Sequence, residues 1–180
     1  ATSNIVVTQL PVLVMDDTTI CQGQVATMTA IPSQPGGIFT WSPGGPGPQT
    51  AVFTPASSTS ISVSYTLNGC TSNSVSRNVF VNPLPVANVI SPAVSGCLPL
   101  AYSFHADTTV AHDYFNWSLN GNSYTGDSIN GIVSGAGCQN ITLTNTLNGC
   151  STSTTYLDYL CPEAAPIASF DASIGYFTEP

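Results

Sequence analysis

Apolar residues alternate with Ser and Thr along Ile61-Ser62-Val63-Ser64-Tyr65-Thr66-Leu67 and again along Ile141-Thr142-Leu143-Thr144. A period of two turns one side chain inward and the next outward, which predicts half-buried β-strands. No stretch of comparable strength has a helical period. Clusters of Pro, Gly and Asn punctuate the runs about every ten residues, the rhythm of an all-β sandwich. Each alternating run ends on the same five residues, Thr66-Leu67-Asn68-Gly69-Cys70 and Thr146-Leu147-Asn148-Gly149-Cys150, 80 residues apart. Asn-Gly supplies the two positive-φ residues of a type I′ turn. Each copy therefore predicts a hairpin, with second strands over 74–81 and 153–160.

The repetition extends beyond the turn. Cys21 precedes Trp41 by 20 residues and Cys97 precedes Trp117 by 20, with Phe39-Thr40-Trp41-Ser42 matched by Phe115-Asn116-Trp117-Ser118. Trp-to-Cys spacings of 29 and 33 then differ by one short loop. Two copies of one sandwich account for this. Pro-rich joints at 9–12, 82–86 and 161–167 bound them, because proline stiffens linkers and cannot continue a central strand. The predicted organisation is a repeat over 11–82 and a second over 83–162. Residues 1–10 form the last strand of a preceding repeat or a long first strand, and 163–180 begin a following one, with its first strand at Ile167-Ala168-Ser169-Phe170.

Composition narrows the function. One Arg (Arg77) and no Lys stand against nine Asp and Glu in 180 residues, a net charge of −8. Such a chain cannot neutralise phosphates, which excludes nucleic-acid binding. Apolar runs such as Val12-Leu13-Val14-Met15 are far short of the roughly 20 residues that span a bilayer as a helix. The start has no initiator Met and no signal-like region, so the chain reads as a mature or excised segment. Six Cys without CxxC or zinc spacing imply disulfides in an oxidising, extracellular setting.

The stretches TICQGQVATMTA, FTWSPGG and SISVSYTLNGCTSNSVSRNVFVNPLP resemble the immunoglobulin-like and PKD-like repeats of very large Bacteroidota surface proteins. These include gliding-motility adhesins exported by the type IX system. PVANVISPAVSGCLPLAYSF with YFNWSLNG is closer to PKD, and PIASFDASIGYF resembles the opening of another repeat. One departure is Ser118-Leu119-Asn120-Gly121 where PKD repeats carry Asp-Phe-Gly-Asp-Gly. The resemblance implies tandem immunoglobulin-like/PKD-like β-sandwiches at the bacterial cell surface, acting in attachment or gliding. It equally accommodates a self-assembling fibre subunit, or a carbohydrate- or protein-binding accessory module of a secreted hydrolase. Implied partners are neighbouring repeats of the same chain, other copies, and surface polysaccharide or protein.

Within that architecture the cysteines have alternatives. Cys21 with Cys70 and Cys97 with Cys150 would staple each domain internally, but in such a sandwich these positions lie at opposite poles, about eight residues or 25 Å apart. A disulfide needs Cα atoms within about 7 Å. A head-to-tail array instead favours Cys21 with Cys150, leaving Cys70 and Cys97 for further neighbours. Cys138 and Cys161 begin and end the second hairpin and face each other across it, or one of them bonds Cys97.

Candidate chemistry is sparse. His105 and His112 come without a nucleophile motif, so His112-Asp113 is read as surface loop and no catalytic residue is assigned. Asp16 and Asp17 are the best of several weak calcium candidates; Asp107, Asp113 and Asp127 have no EF-hand spacing, and no cofactor is assigned. Trp41 and Trp117 suit buried core positions better than carbohydrate platforms. The resemblance adds O-glycosylation candidates at Thr18, Thr108 and Ser128, each following an Asp. Without Lys, no Lys–Asn isopeptide crosslink can form, so disulfides are the covalent reinforcement left.

Overall fold

A computed structural model of the chain describes residues 9–170, and every regular element among them is a strand. The chain divides into two compact units. One runs to Pro85 and takes in Leu147–Ser151; the other runs from Val86 to Thr146 and resumes at Thr152.

The first unit holds β1 (Leu13–Val14), β2 (Thr18–Cys21), β3 (Ala26–Thr29), β4 (Ile31–Pro32), β5 (Ile38–Ser42), β6 (Gly45–Gly47), β7 (Thr50–Phe53), β8 (Thr59–Leu67), β9 (Cys70–Thr71) and β10 (Val75–Asn82). One sheet has the order β2-β10-β8-β5-β6, with β9 on β8. All its pairings are antiparallel except β2 on β10, which is parallel. Opposite it lie the ladders β1–β4 and β3–β7, contributed by neighbouring stretches of chain on either side of Ala30. Inward residues Ile61, Val63 and Tyr65 of β8 meet Trp41, Ala26, Met28 and Leu13 in the core. This is the alternation visible in the sequence.

The second unit holds β11 (Val94–Cys97), β12 (Leu100–His105), β13 (Tyr114–Leu119), β14 (Asn122–Thr125), β15 (Ser128–Val133) and, apart from the Leu147–Ser151 tip assigned to the first unit, β16 (Gln139–Leu147) and β17 (Cys150–Glu163). Its larger sheet, β11-β17-β16-β13-β14, repeats the first order, again with the outermost pairing parallel. Antiparallel β12 and β15 form the opposing layer around Phe104, Phe115, Trp117 and Leu143. Both units are immunoglobulin-like sandwiches. In each, a parallel strand edges an otherwise antiparallel sheet, β2 on β10 and β11 on β17, and short antiparallel ladders lie across the core: β1–β4 and β3–β7 in the first unit, β12–β15 in the second.

The Asn-Gly turns are as their sequence requires. Asn68 and Gly69 have φ of 49° and 79°, and Asn148 and Gly149 have 50° and 77°. Asn120-Gly121, at 50° and 76°, makes a third such hairpin between β13 and β14. Those residues stand where the PKD pattern has its acidic turn, and here they close a hairpin.

Two expectations need correction. The second strand of the second hairpin was expected over 153–160, yet β17 spans Cys150–Glu163 and continues through Pro162. Parallel β11 flanks that end, with Gly96 opposite Pro162, and Pro162 O accepts from Gly137 N at 2.9 Å. A proline that offers only its carbonyl is compatible with a strand end of this kind. Second, Ile167–Phe170 form no strand; Ile167 and Phe170 are almost wholly exposed, with no partner strand among the described residues. The remaining predicted start of a following repeat, 171–180, and the predicted terminal strand within 1–8 lie outside the described residues.

Candidate functional site

The chemistry-bearing residues that the fold assembles are cysteines. Parallel pairing with β10 fixes Cys21 at the end of β2, opposite Asn82. Gln22 N then donates to Asn82 O at 2.8 Å, and Gln24 N to Cys21 O at 2.9 Å. The Gln24 side chain accepts from Cys21 N at 3.1 Å, so the strand end is tied off by its own turn. Gly23, at φ 85°, occupies the left-handed position that this turn demands.

Leu147–Ser151, the tip of the β16–β17 hairpin, belongs to the same unit. Cys150 within it forms a disulfide with Cys21, Cα to Cα 5.6 Å, across a sequence separation of 129. Asn82 adds a second tie, donating from Nδ2 to Asn148 O at 3.2 Å. The disulfide and this hydrogen bond both hold the tip at the β2/β10 end, and Cys150 is 1% exposed.

Cys138 and Cys161 form the other disulfide, Cα to Cα 4.0 Å, closing the base of the β16–β17 hairpin. Cys70 and Cys97 carry free thiols, partly and well exposed respectively. In the first unit, Cys70 adjoins the start of β10 while Cys21 pairs with its end. The eight residues of β10 separate them by about 26 Å at roughly 3.3 Å per residue. That is too far for a disulfide.

The other candidates are distributed differently. Asp17 accepts from Asn78 N at 2.7 Å and so pins β2 to β10, while Asp16 is exposed. Among the described residues no three His, Cys, Asp or Glu side chains converge to hold a metal ion. Trp41 and Trp117 are 3% and 1% exposed. Each indole donates to a backbone carbonyl at 2.9 Å, Trp41 to Pro48 and Trp117 to Gly126. With both rings buried, neither offers a face for sugar stacking. Thr108 and Ser128 are exposed and Thr18 is half-buried in β2.

His112 is not a freely solvated loop residue. Its ring stacks on Phe115 with centroids 4.5 Å apart, Nδ1 is 2.8 Å from Val110 O, and Nε2 is 4.0 Å from Asp127 Oδ1. Sequence reasoning also passed over Asn82, whose only signal was its place directly before Pro83, and the buried Asn145, hidden at the end of an alternating run.

No protein-family model matches the chain, and no curated protein matches it. Among solved structures, the fibronectin(III)-like modules of Clostridium thermocellum CbhA are similar at 10% identity and a TM-score of 0.45, over 90% of this chain and all of theirs. Titin domains Z1Z2 in complex with telethonin are similar at 13% identity and a TM-score of 0.37, over 89% of this chain and all of that one. The N-terminal four immunoglobulin domains of Dscam1 are similar at 12% and 0.38, over 89% of this chain and 48% of theirs.

Proposed function

We propose that this chain is a non-enzymatic structural segment of a long extracellular repeat protein, the stalk or filament of a bacterial cell-surface adhesin that serves attachment or gliding. The supporting observation is the Cys21–Cys150 bond, which joins β2, the parallel edge strand of the first unit's larger sheet, to the second copy of Thr-Leu-Asn-Gly-Cys. A bond there shortens the covalent path through the chain. Tension applied at the two ends passes from Cys21 to Cys150 through sulfur and bypasses everything between them.

Pulling single molecules from residues 1 and 180 tests this reading. Reduction should release about 430–460 Å of additional contour length, the 129-residue separation at roughly 3.3–3.6 Å per residue. The oxidised chain should withhold it. Equal lengths from oxidised and reduced molecules would remove the load-bearing role.

A further inference from the structure

The two free thiols occupy the positions of the two bonded ones. Cys21 ends β2 opposite Asn82, and Cys97 ends β11 opposite Glu163. The residue after each cysteine donates its N–H to the carbonyl of that opposing residue: Gln22 to Asn82 at 2.8 Å, and Leu98 to Glu163 at 2.9 Å. Cys70 opens a strand after Asn68-Gly69 as Cys150 does after Asn148-Gly149, and the turn angles agree within 2°. One strand-end socket and one hairpin tip are joined; a second socket and a second tip of the same design are not.

We infer that the Cys97 socket takes the Cys70 hairpin tip of another copy of this chain and forms an intermolecular Cys97–Cys70 disulfide, linking copies head to tail. The inference rests on the load-bearing reading of Cys21–Cys150, because that bond supplies the pairing rule. The occupant follows from sequence, since the tip seated at Cys21 is Thr-Leu-Asn-Gly-Cys and the other free tip is the same five residues.

A low-molecular-weight disulfide such as oxidised glutathione is the oxidant. The Cys97 thiolate attacks it, forming a mixed disulfide and releasing one glutathione. The Cys70 thiolate of the second copy then attacks the Cys97 sulfur and releases the other. Two protein thiols become one disulfide while one glutathione disulfide becomes two thiols.

The sockets differ in the turn after the cysteine, Gln22-Gly23-Gln24 against Leu98-Pro99-Leu100, and in the residue opposite it, Asn82 against Glu163. Asn82 donates to the Asn148 carbonyl, whereas a Glu163 carboxylate offers only acceptors to the matching Asn68 carbonyl. Glu163→Asn should therefore improve the grip of the second socket.

The test uses Cys70→Ser and Cys97→Ser chains, each with one free thiol, incubated with oxidised glutathione and run on non-reducing gels. Either variant alone should stay monomeric. A mixture should give on the order of tenfold more dimer, because docking raises the effective concentration of the matched thiols. Peptide mapping should recover Cys97 of one chain with Cys70 of the other; a protease other than trypsin is needed, since Arg77 is the single basic site. Placing Glu163→Asn on the Cys70→Ser chain should raise the yield further. Equal dimer in unmixed samples, no dimer in the mixture, or no gain from Glu163→Asn overturns the proposal. Cys21–Cys150 is mapped in the same digests, so its loss would bring down the load-bearing reading, while its presence without Cys97–Cys70 defeats this inference alone.

Discussion

Tyr65 in the first unit and Asn145 in the second occupy the same strand position, opposite Phe39 and Phe115 respectively. Both are fully buried, and both fasten the loop that leads into the next strand of their sheet. Tyr65 does so with its hydroxyl, donating to Gln34 O at 2.8 Å and accepting from Gly37 N at 2.6 Å. A Cβ on Gly37 would collide with the Tyr65 ring and Thr66 O, so the glycine is part of the arrangement. Asn145 instead uses Nδ2, donating to Val86 O at 2.7 Å and Ala111 O at 3.1 Å.

The missing ring is replaced from elsewhere. Phe39 packs on Tyr65 with centroids 4.7 Å apart, while Phe115 packs on His112 at 4.5 Å. One sandwich draws the second aromatic from the neighbouring strand, the other from the loop. Topology fixes a need, here a ring on the phenylalanine and an anchor on the loop, and either side of the gap can supply it.

If that is right, moving the second solution into the first unit should fail for want of its ring. Tyr65→Asn should cost about 3–5 kcal/mol, the range for removing a buried aromatic. Hydrogen exchange resolved by peptide should place the loss in strands β5 and β8. A loss below about 1 kcal/mol would mean the ring position carries no packing weight. The reverse exchange, Asn145→Tyr, introduces a ring where His112 already sits. Overpacking should cost about 1–3 kcal/mol, and adding His112→Ala should recover part of it. Additive losses in the double variant would show that the two rings do not compete for Phe115.

Much of the fold was legible because its signals are local. Ile61–Leu67 and Ile141–Thr144 alternate, Asn-Gly turns the chain, and the Cys-to-Trp spacing reveals the repeat. Asn145 was not legible, since a polar residue continuing an inward register contradicts the pattern unless its partners, Val86 and Ala111, are known. His112 was missed for the same reason: nothing near it in sequence says that Asn145 leaves a space on Phe115. The cysteine site was half legible. Repetition marked Cys21, Cys70, Cys97 and Cys150 as equivalent pairs, but the Asn82 tie depends on a parallel register that no pattern along the chain encodes.

A smaller change isolates the hydroxyl from the ring. Tyr65→Phe keeps the packing on Phe39 and leaves Gln34 O and Gly37 N without their partner. The cost should be about 1–2 kcal/mol in the urea-unfolding free energy, the range for a broken and partly buried hydrogen bond. A cost equal to that of Tyr65→Asn would place all the energy in the loop anchor and none in the ring.

The smallest contrast is also the most specific. Two residues past each cysteine stand Ser72 and Thr152, both hydroxyls, in different circumstances. The first unit's hairpin breaks between β9 and β10, and Ser72 bridges the break, accepting from Tyr65 N at 3.0 Å and donating to Asn73 O at 2.9 Å. In the second unit β17 runs unbroken past Thr152, whose buried Oγ1 has no hydrogen-bond partner among the described residues. Deleting a hydroxyl that spans a gap exposes unmet backbone groups, whereas deleting an orphaned one removes a desolvation penalty. Ser72→Ala should lower stability by about 1–2 kcal/mol, while Thr152→Val should leave it unchanged or raise it by up to about 1 kcal/mol. Parallel urea titrations decide the matter. A loss from Thr152→Val matching that from Ser72→Ala would mean that the two hairpins are stabilised alike and that the strand break in the first has no energetic consequence.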